Sequence, residues 1–239
     1  MPNRKLSRRR VIAAAAGIPL APAAIRGETP WREGAADAPR PASGGGYVFF
    51  TGAEAAFIEA VVARLIPKDE LGPGALEAGV ATFIDRQLAG EFGRAERWYM
   101  QGPWGAGTST QGYQTRLTPA AVYRAAIRAI DAAVGHEGKA ASFARLAAAD
   151  QDAFLHRLEK GQVQLSGVDG VTFFDMLLQN TMEGFWSDPI YGGNRDMVGW
   201  KLIGFPGARY DQTPFVSQHG KPYPLPPVGL KGRPAWNRS

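Results

Sequence analysis

Apolar side chains recur every three or four residues in several stretches of the chain, which is the spacing of one face of a helix. The clearest stretch follows Thr51, which has Glu54 three residues later and so fits the capping box at a helix start. Pro67 is expected to end this helix, because proline cannot continue the backbone hydrogen bonding. The apolar face between these signals comprises Phe57, Ile58, Val61, Val62, Leu65 and Ile66.

The same periodicity predicts further helices along the chain. They are expected at 75–88, from 119 to about 130, at 142–148, at 151–159 and at 172–183. Thr118 and Pro119 mark one of these starts, since threonine is a favourable N-cap and proline a favourable first helical residue. No run of alternating polar and apolar residues predicts a strand, and the sequence has no internal repeat.

Between and after these helices the chain is rich in glycine, proline and aromatic residues. Residues 90–118 are irregular, and regular signals fade from Asp188 onward. Seven of the eighteen prolines lie in 206–239, so this part is expected to lie extended over a surface. The fold class predicted is therefore mostly α: a single irregular helical domain at 47–211 with long Gly/Pro-rich loops, followed by an extended tail at 212–239.

The N-terminal residues have the parts of an export signal. The paired Arg8 and Arg9 follow Ser7 and precede Val11 and Ile12, and a short alanine-rich apolar run comes next. This pattern resembles the twin-arginine (Tat) signal, which carries folded proteins to the periplasm. We therefore predict a signal peptide at 1–24, a flexible linker at 25–46 and export by the Tat translocase. A basic, disordered N-terminus and an uncleaved signal anchor are the alternatives.

Charge and cysteine content narrow the functional classes. The chain has 27 basic and 22 acidic residues. Five of the basic ones lie within residues 1–23, which contain no acid, so the remainder is formally neutral. A nucleic-acid-binding role is disfavoured, because it needs a basic face on the folded domain. There is no cysteine, which excludes disulfides, thiolate catalysis and covalent haem attachment.

The motifs of common catalytic and cofactor sites are missing. The sequence has no H-E-x-x-H or E-x-x-H metal pattern, no glycine-rich nucleotide cradle and no G-x-S-x-G elbow. We therefore predict no catalytic, cofactor-binding or metal-binding residue in this chain. Two alternatives stay open: Glu183 and Asp188 could act as the acid and base of an independent periplasmic sugar-active enzyme, or the aromatic residues at 98–113 and 185–205 could stack a sugar in a binding module.

The segment 180–209 combines glycines, aromatics and both signs of charge in a specific order. Together with 178–179 it reads LQNTMEGFWSDPIYGGNRDMVGWKLIGFPGAR. This block resembles the gluconate 2-dehydrogenase subunit 3 family, the small or gamma subunits of membrane-associated FAD-dependent sugar, polyol and sugar-acid dehydrogenases. The resemblance extends over about 47–211 and includes Ile66-Pro67, Ala78-Gly79-Val80 and Thr118-Pro119.

The resemblance implies an accessory role. A separate large subunit would carry FAD and oxidise the substrate, and a cytochrome c subunit would often pass the electrons on. The small subunit would hold no redox cofactor, would supply the Tat signal for joint export, and would act as a chaperone for the large subunit. Aromatic and arginine side chains dominate protein interfaces, so the segment is expected to anchor that partner or to brace its own loop. The residues concerned are Glu183, Trp186, Tyr191, Asn194, Arg195, Asp196, Trp200, Phe205 and Arg209.

Overall fold

The structure is a computed structural model, and it describes residues 46–105, 107–108, 110–209 and 211–230. The described part is helical and contains isolated β-bridges but no strand, which confirms the mostly α prediction. Its α-helices, in chain order, are α1 (Gly52–Leu65), α2 (Val80–Ala89), α3 (Pro119–His136), α4 (Ala148–Glu159), α5 (Gly170–Trp186) and α6 (Val198–Ile203). None of these helices combines the length and apolar character that a bilayer span requires.

The predicted start of α1 is confirmed in detail. The backbone nitrogen of Thr51 donates to Oε2 of Glu54 at 2.8 Å, and the Glu54 nitrogen donates to Oγ1 of Thr51 at 3.4 Å. This reciprocal pair is the capping box, and it satisfies backbone donors that the first turn leaves without helical partners. The Glu54 carboxylate also accepts a hydrogen bond from Nη1 of Arg124 at 2.9 Å, which connects the cap to α3.

The predicted start of α2 is wrong by five residues. Residues 75–79 form turns, and the helix begins only at Val80. The reason is Gly79, whose φ of +76° lies in the left-handed region and cannot belong to a right-handed helix. The apolar spacing from residue 75 is nonetheless used, since Ala75 and Ala78 are buried.

The other helices differ from the predictions at their ends. Thr118 caps α3 as expected and accepts from the Ala121 nitrogen at 3.4 Å. The helix predicted at 142–148 is a single 3₁₀ turn, Phe143–Arg145, because Leu146 is extended (φ −65°, ψ 150°) and ends it. Helix α5 is longer than predicted at both ends, and α6 was not predicted at all.

The described residues fall into two compact units. The first, which we name the aromatic-core unit, comprises Tyr47–Ala60 and Ile84–Leu178. Its core contains an aromatic cluster with ring centroids 5.1 to 6.4 Å apart, formed by Phe57, Tyr123, Phe143, Phe154 and Phe173. The buried carboxylate of Asp85 accepts from three successive backbone nitrogens, those of Val48, Phe49 and Phe50, at 2.8 to 2.9 Å. It thereby fixes the point where the chain enters this unit.

The second unit, the C-terminal unit, comprises Val61–Phe83 and the chain from Gln179 onward. It contains the 180–209 segment and the described part of the tail. The predictions for the signal peptide and the linker fall on residues 1–45, which lie outside the described residues.

Candidate docking surface

The 180–209 segment is organised around the side chain of Asn194. This residue is fully buried, and its Nδ2 donates to the Ser187 carbonyl oxygen at 2.8 Å. Its Oδ1 accepts from the Gly199 nitrogen at 2.8 Å. One amide therefore joins the end of α5 to the start of α6 and satisfies backbone groups that no helix pairs, which braces the loop from inside.

Trp200 provides a second brace. It is only 6% exposed, and its Nε1 donates to the Trp186 carbonyl oxygen at 2.7 Å. The indole also meets the ring of Phe205 edge-to-face, with centroids 5.2 Å apart. A buried tryptophan needs a partner for its N–H, and here the partner is the last residue of α5.

The backbone between these braces is strained at three residues that are not glycine. Asn194, Asp196 and Met197 have φ values of +45°, +56° and +57°, all in the left-handed region. Such conformations cost of order 1–3 kcal/mol each and persist where the surrounding structure determines them. The three left-handed residues explain why no helical periodicity predicts α6, since the chain reverses repeatedly just before it.

Two glycines permit the close approach of the backbone in this loop. A Cβ at Gly193 would overlap the carbonyl oxygen of Gly184, and one at Gly199 would overlap that of Phe185. Both contacts pack the loop directly against α5. Some glycines of this segment are therefore needed for close packing of the loop backbone against α5, and not only for turns of the chain.

Arg195 lies against the turn that precedes α2. Its backbone nitrogen donates to the Ala78 carbonyl oxygen at 2.9 Å. A Cβ at Gly79 would lie 3.2 Å from Nη2 of Arg195, so the glycine leaves room for the guanidinium. The structure thus brings Ala78 and Gly79 into contact with Arg195, which lies more than a hundred residues later in the sequence.

The two carboxylates considered as an acid–base pair are engaged in structural hydrogen bonds. Oδ1 of Asp188 accepts from the Ile190 nitrogen at 2.9 Å, and its Oδ2 accepts from the Leu230 nitrogen at 2.7 Å. Glu183 is exposed and accepts from Nε2 of Gln179 one helical turn earlier, at 2.9 Å. Asp188 is therefore a brace between the loop and the tail, a role that its sequence context did not indicate.

Two of the four aromatic residues of the loop at 98–113, Trp98 and Tyr113, pack on each other. The Trp98 ring lies 4.8 Å from Tyr113 and 5.7 Å from Phe92. The Tyr113 hydroxyl donates to the Leu117 carbonyl oxygen, and burial raises the pKa of Tyr113 to about 12. These rings are used for packing, whereas Tyr99 is exposed.

Part of the tail folds back on the segment through Arg209. We name residues 211–230 the C-terminal strap. Nη2 of Arg209 donates to the Pro226 carbonyl oxygen, and its guanidinium carbon lies 5.3 Å from the centroid of the Tyr223 ring. Tyr223 in turn packs on Phe215, with centroids 4.6 Å apart. Most of the strap is irregular, as predicted for a proline-rich tail, but Thr213–Phe215 forms one 3₁₀ turn.

The nine residues singled out from the sequence separate into three groups by exposure. Asn194 and Trp200 are buried, Trp186, Arg195 and Arg209 are half-buried, and Glu183, Tyr191, Asp196 and Phe205 are exposed. Tyr191 and Phe205 are large apolar side chains that are 50% and 44% exposed. The buried members hold the loop together, and the exposed ones are available for contact with another molecule.

Exposed apolar side chains are concentrated in the C-terminal unit. Among the described residues, the exposed large apolar side chains lie in this unit, except for Val48 and Tyr99. Those of the unit are Leu71, Leu76, Ile190, Tyr191, Ile203, Phe205, Val216, Leu225 and Leu230. Single exposed apolar residues are normal, but their accumulation on one unit is typical of a protein-binding surface.

No constellation for metal binding was found in the described part of the chain, where no three His, Asp or Glu side chains are grouped so that they could hold an ion. The arrangement seen at 180–209 is a braced helix–loop–helix with apolar side chains pointing outward. Exposed apolar side chains on a braced loop are typical of a helical interaction protein.

Comparison with known families agrees with this class. Residues 52–207 match the family described as gluconate 2-dehydrogenase subunit 3. The match covers well over half of the chain, so the chain belongs to this family, whose name denotes a subunit of a multi-subunit dehydrogenase. A search of curated proteins and a search of solved structures gave no match. The matched residues end at Gly207, so the C-terminal strap lies beyond the family domain.

Proposed function

We propose that this chain is the non-catalytic small subunit of a periplasmic, membrane-associated, FAD-dependent dehydrogenase that acts on a sugar, polyol or sugar acid. The observation that carries the proposal is the family match over 52–207. FAD and the substrate site belong to the large partner subunit, and a cytochrome c subunit accepts the electrons in complexes of this kind. The small subunit assists folding of the large one and stabilises it.

The exposed side chains of the C-terminal unit support a docking role. An obligate interface buries more than about 2,000 Å² and is rich in apolar and aromatic groups. Tyr191 and Phe205 are candidates for its anchors, because both are exposed next to the rigid braces made by Asn194 and Trp200. A rigid anchor loses little conformational entropy when it binds.

The docking role is tested by co-expression with the proposed FAD-containing large subunit. The double variant Tyr191→Ser/Phe205→Ser removes exposed apolar surface and leaves the side-chain hydrogen bonds of Asn194 and Trp200 in place. It also removes the ring contact between Phe205 and Trp200, so thermal unfolding of the purified variant checks that the small subunit folds. We expect recovery of the FAD-containing subunit on the tagged small subunit to fall at least about tenfold. The control is Val48→Ser/Tyr99→Ser, which removes side chains of the aromatic-core unit that are 73% and 80% exposed. Equal recovery with both double variants would contradict the assignment.

The export role is tested at the paired arginines. Arg8→Lys/Arg9→Lys is expected to leave both subunits in the cytoplasm, because the large subunit has no signal of its own in this proposal. Arg10→Lys is the control, since Arg10 stands beside the pair and keeps the same charge. Periplasmic FAD-dependent dehydrogenase activity in the double variant would argue against joint export.

A further inference from the structure

The C-terminal strap is held on the C-terminal unit by a buried anchor. Val228 is 3% exposed, and its nitrogen donates to the Pro206 carbonyl oxygen at 3.2 Å. Its carbonyl oxygen accepts from the Ala208 nitrogen at 2.7 Å, which gives a parallel bridge to Gly207. Gly207 has a φ of +76°, and a Cβ there would overlap the Val228 oxygen, so this position is built for the strap.

Asp188 ties the strap to the loop at a second point. Its two carboxylate oxygens accept from the backbone of Ile190 and from that of Leu230. The Asp188 carboxylate therefore holds the backbones of Ile190 and Leu230, whose side chains are both exposed. The strap is therefore bonded to residues 206–209 through Val228 and Pro226, and to Asp188 through Leu230. We call residues 206–209 the bend.

The anchored strap keeps apolar side chains in solvent. Leu225 and Leu230 flank the buried Val228 and are 42% and 60% exposed, and Val216 follows the 3₁₀ turn and is 65% exposed. A free tail could turn such side chains away from water, whereas here the backbone bonds hold them in place. Apolar groups that are already ordered and still exposed are suited to binding, because the entropy of ordering them has been lost before contact.

The tail also has a one-sided charge. From residue 212 to the end, the sequence contains Lys221, Lys231, Arg233 and Arg238 and no acidic residue. The strap itself contains Lys221 and the acidic Asp211, and the other three basic residues follow it in the sequence, outside the described residues. A partner surface with acidic groups attracts these basic residues, whereas a basic surface repels them. The exposed apolar side chains of the strap, together with the basic residues in and after it, therefore favour a partner surface that is apolar and carries acidic groups.

We propose that the C-terminal strap extends the docking surface of the 180–209 segment and that its occupant is an apolar surface with acidic groups on the flavin-bearing subunit. This inference rests on the proposed function. It adds a contact that lies outside the family domain, because the family match ends before the strap begins. The strap keeps residues 206–209 in their binding shape and contributes the exposed side chains of Leu225 and Leu230 to the surface.

The test uses the full-length chain co-expressed with the other subunits, and the amount of flavoprotein retained on the tagged small subunit is measured in a salt series. Two strap variants separate the apolar contribution from the charged one: Leu225→Ser/Leu230→Ser and Lys221→Glu/Lys231→Glu, of which Lys231 directly follows the strap in the sequence. Val48→Ser/Arg128→Glu is the control, with exposed positions in the aromatic-core unit. Circular dichroism and thermal unfolding of each purified chain confirm that all variants fold.

We expect the apolar strap variant to bind at least about tenfold more weakly at every salt concentration. The charge-reversal variant should be weakened by a similar factor at low salt and should approach the wild type at high salt, where charges are screened. The control should bind as the wild type does.

Three results would overturn the inference in distinguishable ways. If the wild-type chain retains no flavoprotein, the proposed function fails and this inference fails with it. If the wild type retains it and both strap variants do so equally well, only the strap contact fails. If the variants retain the flavoprotein but the purified complex no longer sediments with vesicles containing anionic lipid, the strap binds a membrane surface instead of the subunit.

Discussion

The indole nitrogen of Trp200 donates to the carbonyl oxygen of Trp186 at 2.7 Å, so the last residue of α5 is bound by a residue of α6. A carbonyl at a helix C-terminus has no partner inside its own helix, and this bond supplies one. The side chain of Asn194 spans the same junction from the other direction. The loop that carries Tyr191 is therefore closed by two side chains that are themselves buried.

The first prediction concerns Trp200. Trp200→Phe keeps much of the ring packing and removes the indole donor, and we expect a loss of about 1–2 kcal/mol in the free energy of unfolding. Trp200→Ala also leaves a cavity and is expected to cost about 3–5 kcal/mol. Urea unfolding of the purified chain measures both, with Trp104→Phe as a control in the separate loop at 98–113. Equal losses for Trp200→Phe and Trp104→Phe would argue against the brace.

The second prediction concerns the left-handed residues. Asn194→Gly tolerates the positive φ but loses both side-chain hydrogen bonds, which should cost about 1–3 kcal/mol of unfolding free energy. Asn194→Ala should cost roughly 1 kcal/mol more, because alanine also resists the left-handed conformation. At the exposed Asp196, with a similar φ, Asp196→Gly is expected to lie between no change and a gain of about 1 kcal/mol.

Urea unfolding of these three variants checks the ranking. A stable Asn194→Gly together with a destabilised Asp196→Gly would reverse our assignment of which residue braces the loop and which is only strained.

The third prediction compares two glycines. Gly193→Ala places a methyl group against the Gly184 carbonyl oxygen, so α5 and the loop must separate, and we expect a loss of at least about 2 kcal/mol. Gly135 lies in α3 with open space at its Cβ position, and Gly135→Ala is expected to raise stability by about 0.5–1 kcal/mol. Differential scanning calorimetry gives the two shifts in melting temperature, which should have opposite signs.

The fourth prediction is a pH dependence in the aromatic-core unit. Burial raises the pKa of Asp131 above its ordinary value, and the hydrogen bond from the Phe143 nitrogen, at 2.8 Å, partly opposes this. The folded state therefore binds the proton more readily than the unfolded state does, and this group destabilises the fold when it is ionised. Its penalty is present at neutral pH and disappears as the pH falls through the range where Asp131 takes up a proton.

Asp131→Asn keeps an oxygen acceptor for Phe143 and removes the charge. We expect it to be more stable than the wild type at pH 7, and we expect the difference to shrink as the pH approaches the acid range. Asp131→Ala leaves the buried Phe143 donor without its side-chain acceptor and should lose about 1–3 kcal/mol at all pH values. Urea titrations at several pH values measure both. A stability gain for Asp131→Asn that grows towards acid pH would have the wrong sign.

The helices that sequence periodicity located are those with strong local signals. The capping box at Thr51 and the threonine–proline start at 118–119 define helix starts through bonds within one turn, and the structure has both. Two of the predicted boundaries that failed lie where the backbone leaves the helical region: at Gly79, whose φ is positive, and at Leu146, which is extended. The identity of a glycine or a leucine does not determine its φ and ψ angles, so these helix boundaries could be located only in the folded structure.

The functional segment shows the same division. Its residue types alone indicated a partner surface or a braced loop, and they also allowed an acid–base pair at Glu183 and Asp188. The tertiary structure distinguishes these roles. Asp188 accepts hydrogen bonds from the backbones of Ile190 and Leu230, and Asn194 and Trp200 are buried as braces. Contacts between residues forty positions apart depend on how the tail returns, which no local pattern encodes.

The sequence by itself determined the helical class, the capped starts of α1 and α3 and the family to which the chain belongs, since capping, apolar spacing and a long specific motif are all local properties. The fold alone decided which residues of that motif face inward as braces and which face outward, and it alone brought the strap onto the bend at 206–209. These features depend on hydrogen bonds and close backbone contacts between distant segments, and such contacts exist only once the chain has folded.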